Sequence, residues 1–466
     1  MRALRRLLQV VALVGTLLVG IIAVALIVSQ TPWFRDWLRR YVVRESKQYL
    51  NGELSIGGLG GNLFFGVHLS DVALDLSGER VVAVKDLELD YSVFRLLSSG
   101  LVFDEIKLHE PRIILERTAE GWNLARVVKK QQKEADREGP GRPLALPLIQ
   151  ITDGGMTIRD EAVGTSGITL PKQISDLDLK AAYEYEPVRY TLTVDHASFT
   201  SPTISLGALS GKVAVRDDNV YLEGVKVATA ASHVAIEGVI ENYLNTPILK
   251  LTTTGQVSLP EIGRVVPAAA DYRLHPAFDI KANGPADRLA LDVDIRSEAG
   301  TVRGGLTADV KGPDLGAEGD VHVERLNLAP ILKDPAQRSD ITGRARLDIE
   351  VAATPAQAPI NERMTGTFTF TGPRVVAAGY SASDVSVTGR ITGPRITLDG
   401  RAAAYGGTAT AKGFIVTPSG ARPLSFDLEG RADGVDLRGL PAAAGAPRLA
   451  TDLSIARYHV LSLIHI

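Results

Sequence analysis

From Gly52 onward, apolar and polar residues alternate with the two-residue period of half-buried β-strands. The alternation slips at a recurring place. In "VHLSDVALDL", Val67 and Leu69 share one parity, whereas Val72, Leu74 and Leu76, after Ser70 and Asp71, take the other. One extra residue sends every later side chain to the opposite face, so a bulge or bend at Asp71 is expected to restore the facing. The same slip falls at Asp86 in "VAVKDLEL" and at Glu105 in "LVFDEIKL". Its core, apolar-x-(Asp/Glu/Gly/Arg)-apolar-x-apolar, returns in "ISDLDL" (174–179), "LEGVKV" (222–227), "VERLNL" (323–328), "ASDVSV" (382–387) and "ADGVDL" (432–437). Eight regularly embedded copies make a structural repeat.

A longer unit moves with it. Gly238, Gly304 and Gly413 each follow small or apolar residues at alternate positions, and Gly255, Gly319 and Gly430 come at offsets of 17, 15 and 17. Each second glycine leads to an apolar pair near a proline, in "EIGRVVP", "NLAPIL" and "DLRGLP". Such repetition means stacked copies of one β unit rather than unrelated globules. The interruption "KKQQKEADREGPGRP" (129–143) is charged and ends in Gly and Pro, which reads as an exposed linker. The expected organisation is a first β unit at 49–128, a linker at 129–147 and a repeated array at 148–457.

The chain before Gly52 reads differently. Leu7 to Val28 is 22 residues without a charge, long enough to cross roughly 30 Å of hydrocarbon. Residues 1–30 are expected to be a cytoplasmic stub and membrane anchor, with Leu7, Leu13, Leu17, Ile21, Leu26 and Val28 in the span. Arg2, Arg5 and Arg6 favour a cytoplasmic N-terminus, while Arg35, Arg39, Arg40, Arg44 and Lys47 on the other side weaken that vote. A cleaved signal peptide is the rival, but "LIVSQTPWF" offers no small-residue cleavage site. Thr31 followed by Pro32 predicts the cap and first turn of a helix over 31–48 that sets Trp33, Trp37 and Tyr41 on one face. Two readings of this helix stay open: an interfacial helix on the membrane, with Trp33 and Trp37 as anchor residues, or a cap on the β domain.

Composition narrows the chemistry. Gly (45) and Pro (24) are abundant and aromatics make up 6%, which suits many short strands. A net charge of −3 argues against a nucleic-acid binder. The absence of cysteine removes disulfides, thiolate metal sites and Cys nucleophiles. Five glycines between Gly57 and Gly66 suggest a phosphate cradle, but the G-x-G-x-x-G spacing is missing and a period-two strand follows. "GALSGKV" (207–213) is one residue short of a P-loop and lacks Ser or Thr after Lys212. Both read as turns between strands. "DVHVE" places Asp320, His322 and Glu324 on one face, most simply a solvated face alternating with Val321 and Val323. In "ALDVDIR", Leu291, Val293 and Ile295 likewise oppose Asp292, Asp294 and Arg296. "EGWNLARV" (120–127) reads as closing the first β unit, and no Ser/His/Asp elbow is present. No catalysis, cofactor or metal is expected.

Strands with one apolar face must cover it with a second layer, by curling, or with an apolar ligand. No helical segment lies between the strands to supply a layer, so an open apolar groove is expected. Hydrocarbon burial is worth about 0.8 kcal/mol per CH₂, which suits such a groove to acyl chains. Candidate lining positions are Leu69, Leu74, Val84, Leu89, Phe103, Leu108, Leu291, Val293 and Ile295. Parity alone leaves open which face is concave.

The stretch from Leu50 to Leu124 resembles the N-terminal unit of the AsmA/TamB family. It carries in order an anchor, "I-x-x-L-x-G" from Ile56, "L-x-D-V-x-L" from Leu69, "LL-x-x-x-L" from Leu96, and "E-P-R-I-x-L-x-R…G-x-N-L" from Glu110 to Leu124. "LSGKVAVRDDNVYLEGVKVATAASHVAIEGVIEN" (209–242) and "GPRITLDGRAAAYGGTATAKGFI" (393–415) are similar to that family's later repeats. The resemblance implies a mainly β protein, an N-terminal transmembrane helix followed by an elongated, repeated antiparallel β-groove. It implies inner-membrane anchoring with the bulk of the chain in the periplasm, and phospholipid passage toward the outer membrane. The alternative it implies is a scaffold for outer-membrane barrel assembly or secretion with a TamA-type partner. The expected partners are thus phospholipids, the inner membrane and, on the second reading, that barrel. "LSLIHI" reads as a translated sequencing adapter, so 458–466 is expected to be a non-native tail on a truncated frame.

Overall fold

The structure is a computed structural model. It describes residues 27–28, 30–62, 65–91, 103–118, 121–129, 143–160, 169, 171–186, 188–355, 358–377, 379–418, 423–441, 452–453 and 456–461. The fold is mainly β and falls into two compact units, with the division inside the strand Leu206–Arg216.

The first unit begins with helix α1, Pro32–Tyr49. Proline presets its first turn, the Thr31 hydroxyl accepts from the Phe34 amide at 3.3 Å, and extended Leu50 ends it. α1 lies along β1 (Glu53–Gly60): the Arg39 guanidinium donates to the Ile56 carbonyl at 2.9 Å and Arg35 to the Gly61 carbonyl at 3.2 Å. α1 therefore packs on the β domain through its Arg35 and Arg39 side, and its Trp33, Trp37 and Tyr41 side stays exposed. Ile27 and Val28 are helical and exposed. Leu7, Leu13, Leu17, Ile21 and Leu26 lie outside the described residues, among which no helix is long and apolar enough to cross a membrane.

β1 pairs antiparallel with β2 (Gly66–Leu76), β2 with β3 (Glu79–Tyr91) and β3 with β4 (Phe103–His109). The expected antiparallel pairing is then interrupted at one place. A short β6 (Gly121–Trp122) pairs with β5 (Arg112–Thr118), and β7 (Leu144–Asp160) runs parallel to β4 and to β5, before antiparallel β8 (Gln173–Glu186) and β9 (Arg189–Thr200). A parallel return needs a connection of a dozen or more residues, and the expected linker falls in that connection. Its end is shorter than expected, since Leu144 to Pro147 already belong to β7. Lys129 is pinned to α1 through its amide on the Tyr49 carbonyl at 2.8 Å, and 130–142 lie outside the described residues. The glycines expected in turns also differ: Gly57, Gly58 and Gly60 lie inside β1, and Gly207 and Gly211 inside β10 (Leu206–Arg216). A side chain at Gly57 would run into Asp71, and one at Gly58 into the Ser70 hydroxyl.

The parity slips have a common backbone cause. In six of the eight motif copies the third residue is left-handed: Asp71, Asp176, Gly224, Arg325, Asp384 and Gly434, with φ from +48° to +66°. At Asp176, Gly224, Arg325 and Asp384 two residues oppose one on a neighbouring strand, which is a bulge. Asp71 differs, because the register runs through it unchanged from Ser70↔Asp86 to Val72↔Val84. β3 carries its own slip at Asp86 on the same level, so both strands bend together and neither gains a residue. Asp153 (φ +54°) in β7 is a further left-handed kink, at a register break the motif did not flag.

The second unit is an antiparallel ladder of strands joined in chain order. It runs β11 (Asn219–Thr229), β12 (His233–Glu241), β13 (Ile248–Gln256), β14 (Ala277–Pro285), β15 (Leu289–Ser297), β16 (Gly300–Asp309) and β17 (Leu315–Leu326). It continues through β18 (Ser339–Val351), β19 (Met364–Ala377), β20 (Tyr380–Thr392), β21 (Arg395–Ala404), β22 (Gly407–Val416) and β23 (Ser425–Asp433). β24 (Val435–Asp436) and β25 (Asp452–Leu453) pair with each other, and β26 (Ala456–Leu461) pairs along β23, so the segment expected to be a non-native tail starts as a strand of the ladder. The described helices of this unit, Leu259–Ile262, Ala329–Leu332 and Ile360–Arg363, have four residues each, too few to form a second layer.

Candidate functional site

Strand register turns the second unit into a two-faced surface. The row through Val293 reads Val225, Ile236, Thr253, Ile280, Val293, Gly304, Val321, Ala345, Phe370, Val387, Gly400, Ala411 and Gly430, one residue from each strand β11 to β23. No charge interrupts it. One step along each strand the row is uniformly polar from β13 to β23: Thr254, Asp279, Asp294, Arg303, His322, Arg344, Thr371, Ser386, Arg401, Thr410 and Arg431. Thirteen strands at about 4.8 Å per step extend the apolar face over roughly 60 Å.

The repeat glycines belong to this face. The row through Leu291 reads Leu222, Gly238, Leu251, Ala282, Leu291, Leu306, Gly319, Leu347, Phe368, Gly389, Leu398, Gly413 and Leu428. Gly413 shows why glycine is needed: φ is +153°, and a Cβ would collide with the Asp427 carbonyl of the next strand. Neighbouring large side chains fill the space, as the Phe368 ring does over Gly389 and the Phe370 ring over Gly343 and Gly372.

The apolar face is left partly open. Leu291, Ile295, Leu306, Leu347, Phe368, Leu398 and Leu428 are half-buried. Val293, 7% exposed, is among the best shielded. Among the described residues no phenylalanine is buried, and the buried leucines are Leu274 and Leu289 alone.

In the first unit the sequence candidates form two sets of rows. Leu69 lies between Leu59 and Leu87, and Leu108 continues that row to Ile151. Leu89 lies between Val67 and Ile106, and Phe103 meets Tyr91 edge-on with centroids 6.4 Å apart. On the other side of the Asp71 bend, Leu74 lies between Leu54 and Val82, and buried Val84 pairs with Val72. Leu291, Val293 and Ile295 share the apolar face of the second unit.

The charged groups stand on the polar face or at the ends of strands. Hydrogen bonds from Arg296, then Arg303, hold the Asp294 carboxyl below its ordinary range. Arg303 also reaches Glu324 at 3.3 Å, so "DVHVE" belongs to a solvated ion-pair ladder. Asn123, 2% exposed, accepts from the Glu116 and Leu124 amides and donates to the Ile114 carbonyl, which ties the "GWNL" turn to β5. Sequence reasoning missed Glu261, 7% exposed at the β13–β14 connection, the one buried charge among the described residues. Burial pushes its carboxyl up, but donors from Ser232, Thr229 and the Ala231 amide outweigh this and hold it below the ordinary value. No group of metal-ligating side chains occurs among the described residues. No known family model, curated protein or solved structure matches this chain.

Proposed function

We propose that this protein is a membrane-anchored β-groove that conducts phospholipid acyl chains passively along its apolar face between the inner and outer membranes of a bacterial envelope. The observation that carries this reading is the uncharged, half-buried face running across every strand from β11 to β23. An exposed apolar surface of that extent is unfavourable in water, and an acyl chain relieves it by about 0.8 kcal/mol per CH₂. Repetition of similar rows strand after strand gives many equivalent seats, so a bound chain can slide without a deep trap. The rings folded over Gly389, Gly343 and Gly372 keep that lining level. Polar headgroups stay in water, and no step requires catalysis or a cofactor.

The AsmA/TamB resemblance fits this reading and supplies the membranes. The alternative, barrel assembly on a sheet edge, would use the β26 edge, because α1 lies along β1 while β26, among the described residues, pairs only with β23. The test is native mass spectrometry with lipid extraction on the full chain purified from cells. Several phospholipids per chain are expected. A well-folded, lipid-free protein would refute conduction.

A further inference from the structure

α1 has two sides, and the chain itself uses one of them. Arg35 and Arg39 face the sheet and donate to the Gly61 and Ile56 carbonyls of the β1 region. Away from it, Trp33, Trp37 and Tyr41 are 68%, 43% and 41% exposed. They form a continuous stripe: Trp37 stacks on Tyr41 with centroids 5.6 Å apart, and Phe34 adjoins Trp37 at 5.4 Å. Exposed Arg40 and Arg44 flank the stripe, with the Arg44 guanidinium 5.8 Å from the Tyr41 ring centroid. Five of the seven charged side chains on α1 are basic.

Amphipathic rings beside arginines suit one environment best, the headgroup layer of an anionic bilayer. The apolar run 7–28 ends four residues before Pro32, which brings a membrane-length segment to the start of the stripe. We infer that α1 is a two-faced docking helix that holds the β1 side of the first unit against an anionic phospholipid surface. Trp33, Trp37 and Tyr41 enter the headgroup layer, while Arg40 and Arg44 pair with lipid phosphates. The apolar rows that begin on β1 at Leu54 and Leu59 then begin at the membrane. This inference does not rest on lipid passage and holds equally for a scaffold.

The chain has three tryptophans, so Trp122→Phe leaves Trp33 and Trp37 as its only indoles. This full chain, reconstituted in vesicles of anionic phospholipid brominated at defined depths, is expected to lose most of its indole emission to shallow bromines. Acrylamide in the water should quench it weakly. The reciprocal chain, Trp33→Phe with Trp37→Phe, reports from Trp122, which sits under Arg117 in the first unit and is expected to ignore the bromines. Replacing Arg40→Glu and Arg44→Glu should restore acrylamide access, each basic residue being worth roughly five-fold in affinity for an anionic surface. Free acrylamide access with no bromine effect would overturn the inference. So would shielding that appears only at protein concentrations where a second copy binds, or equal quenching of Trp122. Lipid counts from native mass spectrometry do not depend on this stripe, so failure here is distinct from failure of the conduction reading.

Discussion

A single carboxylate set into the apolar face tests conduction most directly, and the structure selects its position. Val293 is unsuitable: at 7% exposure between Ile280 and Gly304, an aspartate there would be a buried charge without a partner and would unfold the strand. Leu291 lies in the adjoining row, half-buried between Ala282 and Leu306, where a carboxylate keeps access to water. Leu291→Asp gives up part of a leucine's burial, about 1 kcal/mol, which a domain with 5–15 kcal/mol of stability tolerates. A passing acyl chain must lift off the carboxylate. If about four methylenes lose contact, the barrier rises by roughly 3 kcal/mol and passage slows about 150-fold. Leu291→Ala removes lining without adding charge and should slow passage only a few-fold. The assay is exchange of bound phospholipid with labelled phospholipid in vesicles, alongside circular dichroism and thermal unfolding of each variant. A folded Leu291→Asp chain that exchanges lipid at the wild-type rate would refute the reasoning.

Adjacent glycines offer a second test: a Cβ at Gly304 would strike the Asp320 carbonyl, whereas one at Gly305 meets open space. Gly304→Ala should therefore cost about 2 kcal/mol or more and Gly305→Ala stay within about 0.5 kcal/mol, read by denaturant titration. Asn123→Ala removes three hydrogen bonds and strands the Glu116 amide and Ile114 carbonyl, so unfolding of the first unit should ease by about 3 kcal/mol. Glu261 has a folded-state pKa below its unfolded value, so its contribution is present above the ordinary glutamate pKa of about 4.3 and is lost as pH falls through the folded value. Thermal unfolding of Glu261→Gln should show a smaller loss of stability over that acidic range than the parent; an unchanged pH dependence would mean another group is responsible.

What the sequence determined by itself was local and periodic. Period two settled the strands, the slipped motif marked left-handed residues such as Gly224 and Arg325, and Thr31-Pro32 marked the start of α1. These depend on one residue and its near neighbours, which is the range over which backbone sterics and side-chain alternation act. Only the tertiary structure decided which strands meet. The parallel pairing of β4 and β5 with β7 depends on a connection whose path no local pattern encodes. The unbroken register at Asp71 depends on a second slip, at Asp86 fifteen residues away, that happens to lie opposite. The same holds for the candidate site. Leu291, Val293 and Ile295 are apolar and alternate, but a row without a charge across thirteen strands exists only once twelve registers agree. The glycines reveal their purpose only in that arrangement, because what excludes a Cβ at Gly413 is the carbonyl of Asp427 on the neighbouring strand.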